Sequence, residues 1–194
     1  MNLIRSLVFA SMLASTGGVA QATGLIKNGG FERPAPPPGG FHNYNPGQRI
    51  GPWTVVGNGN VATVSTTYRT RGYVLNARRG LSFLDLTGLC DCGASSGVSQ
   101  SVATTPDASY TLSFWVGNAV IPGAGKKCTV NVYNGTTLLV SAANGHGKHH
   151  THQVWRKFSV TFTATDTTTT LSFINSDKRG DINCGLDVVD MVAN

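Results

Sequence analysis

The stretch YTLSFWV (Tyr110–Val116) decides the fold, because its side chains alternate in character more clearly than those of any other segment. Its even-numbered residues are apolar or aromatic and are expected to face one way. Thr111, Ser113 and Trp115 are expected to face the other way. A period of two residues predicts a half-buried β-strand.

Segments of the same kind precede and follow this stretch, and turn-forming residues separate them. They span residues 52–56, 60–64, 81–86, 98–102, 128–133, 136–141, 158–162, 171–173 and 184–192. No segment has a helical period, and Asn134-Gly135 is a strong hairpin signal. We therefore expect an all-β protein, a two-sheet antiparallel jelly-roll sandwich, with the last strand beside Leu25–Glu32.

The N-terminus has the pattern of a secretory signal peptide over residues 1–22. Arg5 precedes a short apolar run, and Ala20-Gln21-Ala22 forms a small-residue cleavage site. Residues 23–194 are then expected to form a single domain in the periplasm or the extracellular space. Because no later apolar run is long enough to span a bilayer, we expect no membrane span.

The chain is basic but sparsely charged. It has 15 Lys and Arg against 9 Asp and Glu, and charged residues make up 12% of the sequence. A basic secreted protein can attract acidic polysaccharide, anionic lipid or nucleic acid through long-range electrostatics, although an excess of this size is also common on proteins with no acidic partner. The sequence contains no recognisable nucleic-acid-binding module, so no nucleic-acid partner is expected.

All four cysteines, Cys90, Cys92, Cys128 and Cys184, lie in the expected mature chain. An even number in an oxidising compartment favours disulfides. Cys90 and Cys92 are too close to bridge each other without strain, so each is predicted to pair with Cys128 or Cys184. The alternative is one zinc site with four thiolates, although the spacing is unusual for zinc.

Further short motifs occur in a fixed order along the chain. They are LIKNGGFE at 25–32, GPW at 51–53, LDLTG at 84–88, GVSQSV at 97–102, YTLSF at 110–114, Trp155 with 158–164, and GLD at 185–187. In this order they resemble the domain-of-unknown-function family six hundred and forty-two, found in plant cell-wall proteins and bacterial secreted proteins. The chain is also similar to the wider galactose-binding-like jelly rolls, which include many carbohydrate-binding modules.

The resemblance covers essentially the whole expected mature chain. It implies a two-sheet jelly roll, a cell-wall or extracellular location and polysaccharide binding, with pectin-type ligands suggested for plant members. Many bacterial relatives carry a C-terminal sorting anchor, whereas this sequence ends at Asn194, directly after the last predicted strand. That difference predicts release rather than anchoring.

Glu32 and Asp187 are the candidate metal ligands. Carboxylates and backbone carbonyls are the ligands that calcium prefers, and jelly-roll binding modules often hold a structural calcium where the first and last strands meet. Asp187 is expected to share a strand face with Val189 and Met191, where a carboxylate needs a partner. The alternative is that Asp187 accepts hydrogen bonds from loop amides. Val188 stands where the family often has a second acid.

Two groups of side chains are candidate ligand-binding residues. Trp115, Asn131 and Tyr133 would share one outward face if their strands are neighbours, and sugars stack on such aromatic surfaces. An arginine-rich stretch with tyrosines could bind carboxylates or sulfates bidentately, although it also fits a solvated loop. Its candidate residues are Arg69, Arg71, Tyr73 and Arg78, accompanied by Tyr68 and Arg79.

The remaining motifs indicate neither a native metal site nor catalysis. The histidine-rich loop His146–His152 could bind zinc, copper or nickel, but without acidic helpers we expect no native metal there. No G-x-S-x-G or H-E-x-x-H motif occurs, and no pair of carboxylates is singled out. The sequence thus predicts a non-catalytic, secreted carbohydrate-binding protein. A structural or adhesive matrix protein with a protein partner is the alternative, and a polysaccharide-active enzyme is the third.

Overall fold

The computed structural model describes residues 24–89, 95–120, 127–147, 149–177 and 182–194. The expected signal peptide at 1–22 and the cysteines Cys90 and Cys92 lie outside the described residues. Within these ranges all regular secondary structure is β-strand. No helix in the described part of the chain is long and apolar enough to cross a membrane.

The described residues form fourteen β-strands. They are β1 (Phe41–Tyr44), β2 (Arg49–Ile50), β3 (Trp53–Gly57), β4 (Val61–Ser65), β5 (Tyr68–Thr70), β6 (Tyr73–Leu75), β7 (Ser82–Asp85), β8 (Ser96–Ala103), β9 (Ser109–Val120), β10 (Cys128–Asn134), β11 (Thr137–Asn144), β12 (Val154–Thr163), β13 (Thr168–Asn175) and β14 (Ile182–Ala193).

Two six-stranded antiparallel sheets face each other. Sheet A has the order β1-β4-β7-β14-β9-β12, and sheet B has the order β11-β10-β13-β8-β3-β2. The strands β5 and β6 form a separate hairpin. Strands that are distant in sequence are neighbours in both sheets, as in a jelly roll. The predicted fold class is confirmed.

The core lies between the sheets and is built from the alternating residues of the strands. In β9, Leu112 and Phe114 are fully buried, whereas Trp115 is only half-buried on the outer side. The Phe114 ring meets Phe173 of sheet B edge-on, with ring centroids 5.3 Å apart. Burying one such side chain contributes about 1.5–3 kcal/mol to folding.

The segment Leu25–Glu32 lies beside β14, as predicted, although it does not form a regular strand. The Leu25 amide donates to the Met191 carbonyl (2.8 Å), and the Val189 amide donates to the Gly29 carbonyl (2.9 Å). A Cβ at Gly29 would lie 1.9 Å from the Val189 carbonyl oxygen, so only glycine permits this approach.

The same segment is fixed to sheet B on its other side. The Gln100 side chain accepts from the Lys27 amide and donates to the Lys27 carbonyl, each at 2.9 Å. The Trp53 indole nitrogen donates to the Asn28 carbonyl (3.0 Å), and its ring lies 5.3 Å from that of buried Phe31. The N-terminal segment therefore closes one side of the sandwich.

One disulfide joins Cys128 of β10 to Cys184 of β14, with their Cα atoms 5.1 Å apart. The prediction that each of these cysteines pairs with Cys90 or Cys92 is wrong, and so is the four-thiolate zinc site. The reason is that Cys128 and Cys184 both point into the core from facing sheets. Sequence spacing cannot reveal that relation.

The strand β14 contains an irregularity that re-aims Asp187. Its pairing with β9 shifts between Asp187 and Asp190, and Asp187 lies opposite Trp115 on the outer side of sheet A. Met191, beyond the shift, is fully buried in the core. The prediction that Asp187 shares a face with Val189 and Met191 is therefore wrong, because a bulge reverses the alternation.

A second apolar cluster covers part of the outer face of sheet A. The Trp155 ring lies across Gly117 and Gly185, where an added Cβ would stand 2.9 Å and 2.8 Å from its Cη2 atom. The Trp155 indole nitrogen donates to the Asn76 carbonyl (3.0 Å) just after β6. The buried members of the cluster are Ala62, Val64, Leu75, Phe83 and Ala119.

Candidate functional site

A pocket of about 180 Å³ opens on the outer face of sheet A, beside the second apolar cluster. Its floor is formed by β4, β7 and β14, and its walls by the β5–β6 hairpin and residues 88–89. We call it the hairpin pocket, and its lining includes Phe41, Tyr68, Arg71, Asp85, Leu89 and Asn183.

The floor of the hairpin pocket contains two buried polar side chains. Asp85 Oδ1 accepts hydrogen bonds from the Thr87 amide (3.0 Å), the Thr87 hydroxyl (2.6 Å) and the Cys184 amide (3.3 Å). Asn183 is 5% exposed, and its Oδ1 atom is buried without a hydrogen-bond partner. A buried acceptor left unpaired costs about 1–3 kcal/mol, and this atom lies beneath the pocket surface because it has essentially no accessible area.

The rim of the pocket is apolar and exposed. Phe41 is 37% exposed and Leu89 is 61% exposed. The rings of Phe41 and Tyr68 meet edge-on at 5.4 Å. Arg71 stands at the tip of the hairpin in the left-handed region, with φ of 46°. A polar floor under an aromatic rim suits a ligand with hydroxyl groups and C–H faces.

The structure divides the arginine-rich stretch between different places. Arg71 lines the hairpin pocket, whereas the Arg78 guanidinium stacks 4.0 Å above the Trp115 ring. Arg69 is exposed on β5, and Tyr73 is half-buried on β6. Neither Arg69 nor Tyr73 is among the residues that line the pocket.

The predicted common face of Trp115, Asn131 and Tyr133 does not form. Trp115 lies in β9 of sheet A, which pairs with β12 and β14, whereas Asn131 and Tyr133 lie in β10 of sheet B. The chain crosses between the sheets after β9 instead of making a hairpin. The three residues therefore lie on opposite outer faces of the sandwich, and only the Asn131 amide and Tyr133 hydroxyl meet, at 3.4 Å.

Glu32 and Asp187 do come together, in a second pocket of about 280 Å³. We call it the acidic pocket, and its other lining residues are Gly29, Gly30, Arg79, Gly80, Val188 and Val189. A Cβ at Gly30 would lie 3.8 Å from an oxygen of each carboxylate. The backbone of Gly30 thus lies between the two acids.

Backbone amides surround both carboxylates. Asp187 Oδ2 accepts from the amides of Arg78 (2.9 Å) and Arg79 (3.1 Å). Glu32 Oε1 accepts from the amides of Leu81 (3.1 Å) and Ser82 (3.3 Å). The loop between β6 and β7 is therefore fixed over sheet A by two acids, which is the alternative that the sequence offered for Asp187.

The acidic pocket disfavours charge on Asp187. Burial raises the pKa of Asp187 from 3.8 to about 7, while hydrogen bonds from the amides of Arg79, Val188 and Arg78 oppose the rise and the negative charge of Glu32 adds to it. Asp187 Oδ1 accepts only the Val188 amide (2.7 Å). It keeps acceptor capacity toward the pocket.

The residues of the acidic pocket fit a hard cation. Two carboxylates repel each other in one cavity, and a cation between them would relieve that repulsion. Calcium takes six to eight oxygen ligands, so carbonyls or water would have to add to the two acids. The two acids offer oxygen ligands, as calcium requires, but Arg79 also lines the pocket, and backbone amides already occupy Asp187 Oδ2 and both oxygens of Glu32.

Comparison with known families matches residues 24–193 to the family described as "Protein of unknown function (DUF642)". The chain belongs to this family. Comparison with curated proteins finds no match.

Solved structures share the fold of this DUF642 protein. A cyclase from Fischerella sp. TAU is 20% identical, with a TM-score of 0.58 over 90% of this chain and 98% of its own. The carbohydrate-binding module TmCBM61, solved with β-1,4-galactotriose, is 20% identical, with a TM-score of 0.53 over 89% of this chain and 100% of its own. At such identities the likeness concerns the fold alone.

Other metal-ligating groups of the DUF642 protein are weaker candidates. Within the described ranges, the one group of three or more converging ligand residues is Cys128, Asp177 and Cys184, and its two cysteines are bonded to each other. The rings of His150 and His152 lie 5.1 Å apart, but this pair does not extend to a third described ligand.

Sequence reasoning missed the residues that form the hairpin pocket. Asp85 gave a signal, because an acid between Leu84 and Leu86 interrupts an apolar strand. Asn183 and Phe41 gave none, since their roles depend on how distant strands pair. Asn183 reaches the pocket only because β14 lies beside β7.

Proposed function

We propose that this protein is a non-catalytic carbohydrate-binding protein and that the hairpin pocket is its binding site. The observation that carries the proposal is the hairpin pocket itself, in which the polar residues Asp85 and Asn183 lie below the exposed ring of Phe41 and the half-buried ring of Tyr68. A sugar supplies both matching chemistries, hydroxyl donors for the floor and a C–H face for the rim. TmCBM61, whose fold is similar, was solved with a galactose trisaccharide.

More specifically, we propose that the ligand is an acidic polysaccharide of a cell wall or matrix. Arg71 is one of the residues that line the pocket, and the chain carries a formal net charge of +6. Guanidinium groups bind carboxylates bidentately. The disulfide between Cys128 and Cys184 supports an oxidising, extracytoplasmic location.

We also propose a structural calcium between Glu32 and Asp187. When bound, it would supply positive charge to the buried Asp187 and the half-buried Glu32 and would take no part in ligand chemistry. Glu32 and Asp187 would hold it with one carboxylate each. The convergence of the two acids in one pocket supports this proposal.

The test of glycan binding is a panel of neutral and acidic polysaccharides measured at low and high salt. Asn183→Leu replaces a polar side chain that lines the pocket floor by an apolar one of similar volume, and we expect it to weaken binding at least about tenfold. Asn131→Leu is the matched control, because Asn131 also has a buried, unpaired Oδ1 atom but lies on sheet B. Phe41→Ala at the rim should weaken binding without altering the fold.

Two outcomes would overturn the proposed site. Binding that is lost in Asn131→Leu or Tyr133→Ala and kept in Asn183→Leu would place the site on sheet B. No binding across the panel would favour the matrix protein with a protein partner. An assay for enzymatic turnover is a third measurement, because one of the cyclases that share the fold was solved with an indole ligand. Turnover of an indole substrate would show an enzyme.

A further inference from the structure

We propose that the outer face of sheet A carries a second binding surface, which binds the carboxylate groups of an acidic polysaccharide. It consists of Arg78, Trp115 and Lys157, and we call it the cationic surface. The inference rests on the proposed glycan-binding function for the class of its ligand, but it uses no residue of the hairpin pocket. It follows from the way these three side chains are held together and from the surface beside them.

Arg78 is held at two points. Its backbone amide donates to Asp187 Oδ2 (2.9 Å), which places the loop between β6 and β7 over sheet A. Its guanidinium carbon lies 4.0 Å from the centroid of the Trp115 ring. Trp115 is half-buried in β9, between β14 and β12. A guanidinium group that is already positioned loses less freedom on binding, and its N–H fork matches a carboxylate.

Lys157 brings a second positive charge beside the same ring. It pairs with Trp115 across β12 and β9, and directly opposite residues share a face, with Cβ atoms about 4.5–5.5 Å apart. Arg78 and Lys157 are both exposed. Among the described residues, neither of these side chains forms a hydrogen bond or an ion pair with an acid. An anionic ligand would therefore supply the charge that this surface lacks.

The acids on this part of sheet A are engaged elsewhere. Asp187, opposite Trp115 on β14, is fully buried and binds the amides of the overlying loop. Asp190 is half-buried, and a Cβ at Gly24 would lie 2.0 Å from its Oδ1 atom. The N-terminal segment thus packs against Asp190, and the cationic surface keeps its positive charge.

Hydroxyl groups continue the surface along β9 and β12. Ser113 pairs with Ser159, and Thr111 pairs with Thr161, whose hydroxyl oxygens lie 3.2 Å apart. At about 3.4 Å per residue, the distance from Trp115 to Thr111 along β9 is about 14 Å. These two pairs contain no large apolar residue, whereas membrane-surface elements insert apolar side chains into lipid. The surface therefore favours a polysaccharide over an anionic membrane.

In the other direction, Trp155 separates the cationic surface from the hairpin pocket. Its ring lies across Gly117 and Gly185, the outward-facing pair next to Trp115 and Asp187. The following pair along the two strands includes Asn183, on the floor of the hairpin pocket. The two surfaces can therefore be altered independently by substitution.

The test is calorimetric titration of residues 23–194 with polygalacturonate and alginate, each compared with its uncharged ester. We expect the esters to bind at least about tenfold more weakly than the acids, and the double variant Arg78→Gln with Lys157→Gln to weaken binding of the acids at least about tenfold. The matched control is Arg69→Gln with Lys27→Gln, which removes the same charge from exposed residues elsewhere. It should change the affinity less than about threefold.

Arg78→Lys distinguishes recognition from the general attraction between a basic protein and a polyanion. Lysine keeps the charge but loses the planar fork, so binding of the acids should weaken at least about threefold. Equal losses in the two double variants, or unchanged affinity in Arg78→Lys, would overturn the inference. So would binding of phosphatidylglycerol vesicles with no binding of either polyuronate. An unchanged melting temperature in each variant controls for folding.

Failure of this inference differs from failure of the proposed function. If Asn183→Leu abolishes polysaccharide binding while both double variants keep it, the cationic surface is wrong and the hairpin pocket stands. If no polysaccharide binds at all, the glycan-binding proposal itself fails.

Discussion

Raising the pH should destabilise the calcium-free protein through Asp187. This carboxyl group is fully buried on the outer face of sheet A, and its pKa is raised from 3.8 to about 7. Between these two values, the folded protein holds a proton that the unfolded chain has released. The free energy of unfolding must therefore fall as the pH rises through this window and level off above it.

The structure sets a ceiling on the size of this effect. A pKa difference of one unit corresponds to about 1.4 kcal/mol, so a rise from 3.8 to about 7 gives at most about 4 kcal/mol. Desolvation dominates the rise, and the charge of Glu32 adds to it. The half-buried Asp177 has a pKa raised by desolvation as well and contributes a slope of the same sign.

The assay is urea unfolding from pH 4 to pH 8 with a chelator present, compared with Asp187→Asn. Asparagine cannot ionise, so this variant should lose most of the pH dependence. It should also be less stable than the wild-type protein at low pH. Its side-chain NH2 group would face the backbone N–H of Val188, which donates to Asp187 Oδ1 in the wild-type protein, and two donors cannot pair. Glu32→Gln should reduce the slope partially, since it removes the repelling charge.

A flat profile in the wild-type protein would refute this reasoning, and so would an equal slope in Asp187→Asn. Adding calcium provides a second test of the same carboxyl groups. Bound calcium favours the ionised carboxylates, so it should raise the melting temperature more at pH 8 than at pH 5. A melting temperature that calcium does not move at either pH would contradict the proposed calcium site.

Three other predictions concern stability, each measured by urea unfolding. The double variant Cys128→Ala with Cys184→Ala should lose about 4 kcal/mol, because the bridge closes a loop with a sequence separation of 56; a loss below about 1 kcal/mol would contradict it. Gly185→Ala should lose about 1–3 kcal/mol, since its Cβ would lie 2.8 Å from Trp155 Cη2 and 2.9 Å from Gln153 Nε2, and Trp155→Ala should relieve the first of these clashes. Phe31→Ala should lose about 3–5 kcal/mol, because Phe31 is fully buried.

The strands and their inward faces could be predicted because alternation is a local property. In β10, the predicted inward residues Cys128, Val130 and Val132 are all fully buried. The hairpin after β10 was predicted from Asn134-Gly135, and Asn134 pairs with Thr137 across it. Each of these features depends on residues close in sequence, so no knowledge of distant pairing was needed.

The candidate site could not be predicted in the same way, because it depends on which strands are neighbours. Trp115 and Tyr133 alternate outward as expected, yet they lie on different sheets. The predicted face of Asp187 was wrong because a bulge interrupts β14, and sequence periodicity does not reveal bulges. The pairing of Cys128 with Cys184 likewise follows from the facing of two sheets.

The segment after β6 joins the walls of the two pockets, so we expect the proposed calcium to affect the proposed ligand binding. The segment Asn76–Ser82 follows β6, whose last residue, Leu75, lines the hairpin pocket. Asp187 and Glu32 hold the amides of the same segment. The β5–β6 hairpin belongs to neither large sheet, so its position depends on such attachments. The carboxyl group of Asp187 is costly to bury on the outside of a sheet, and holding the wall of the proposed binding pocket gives that cost a function.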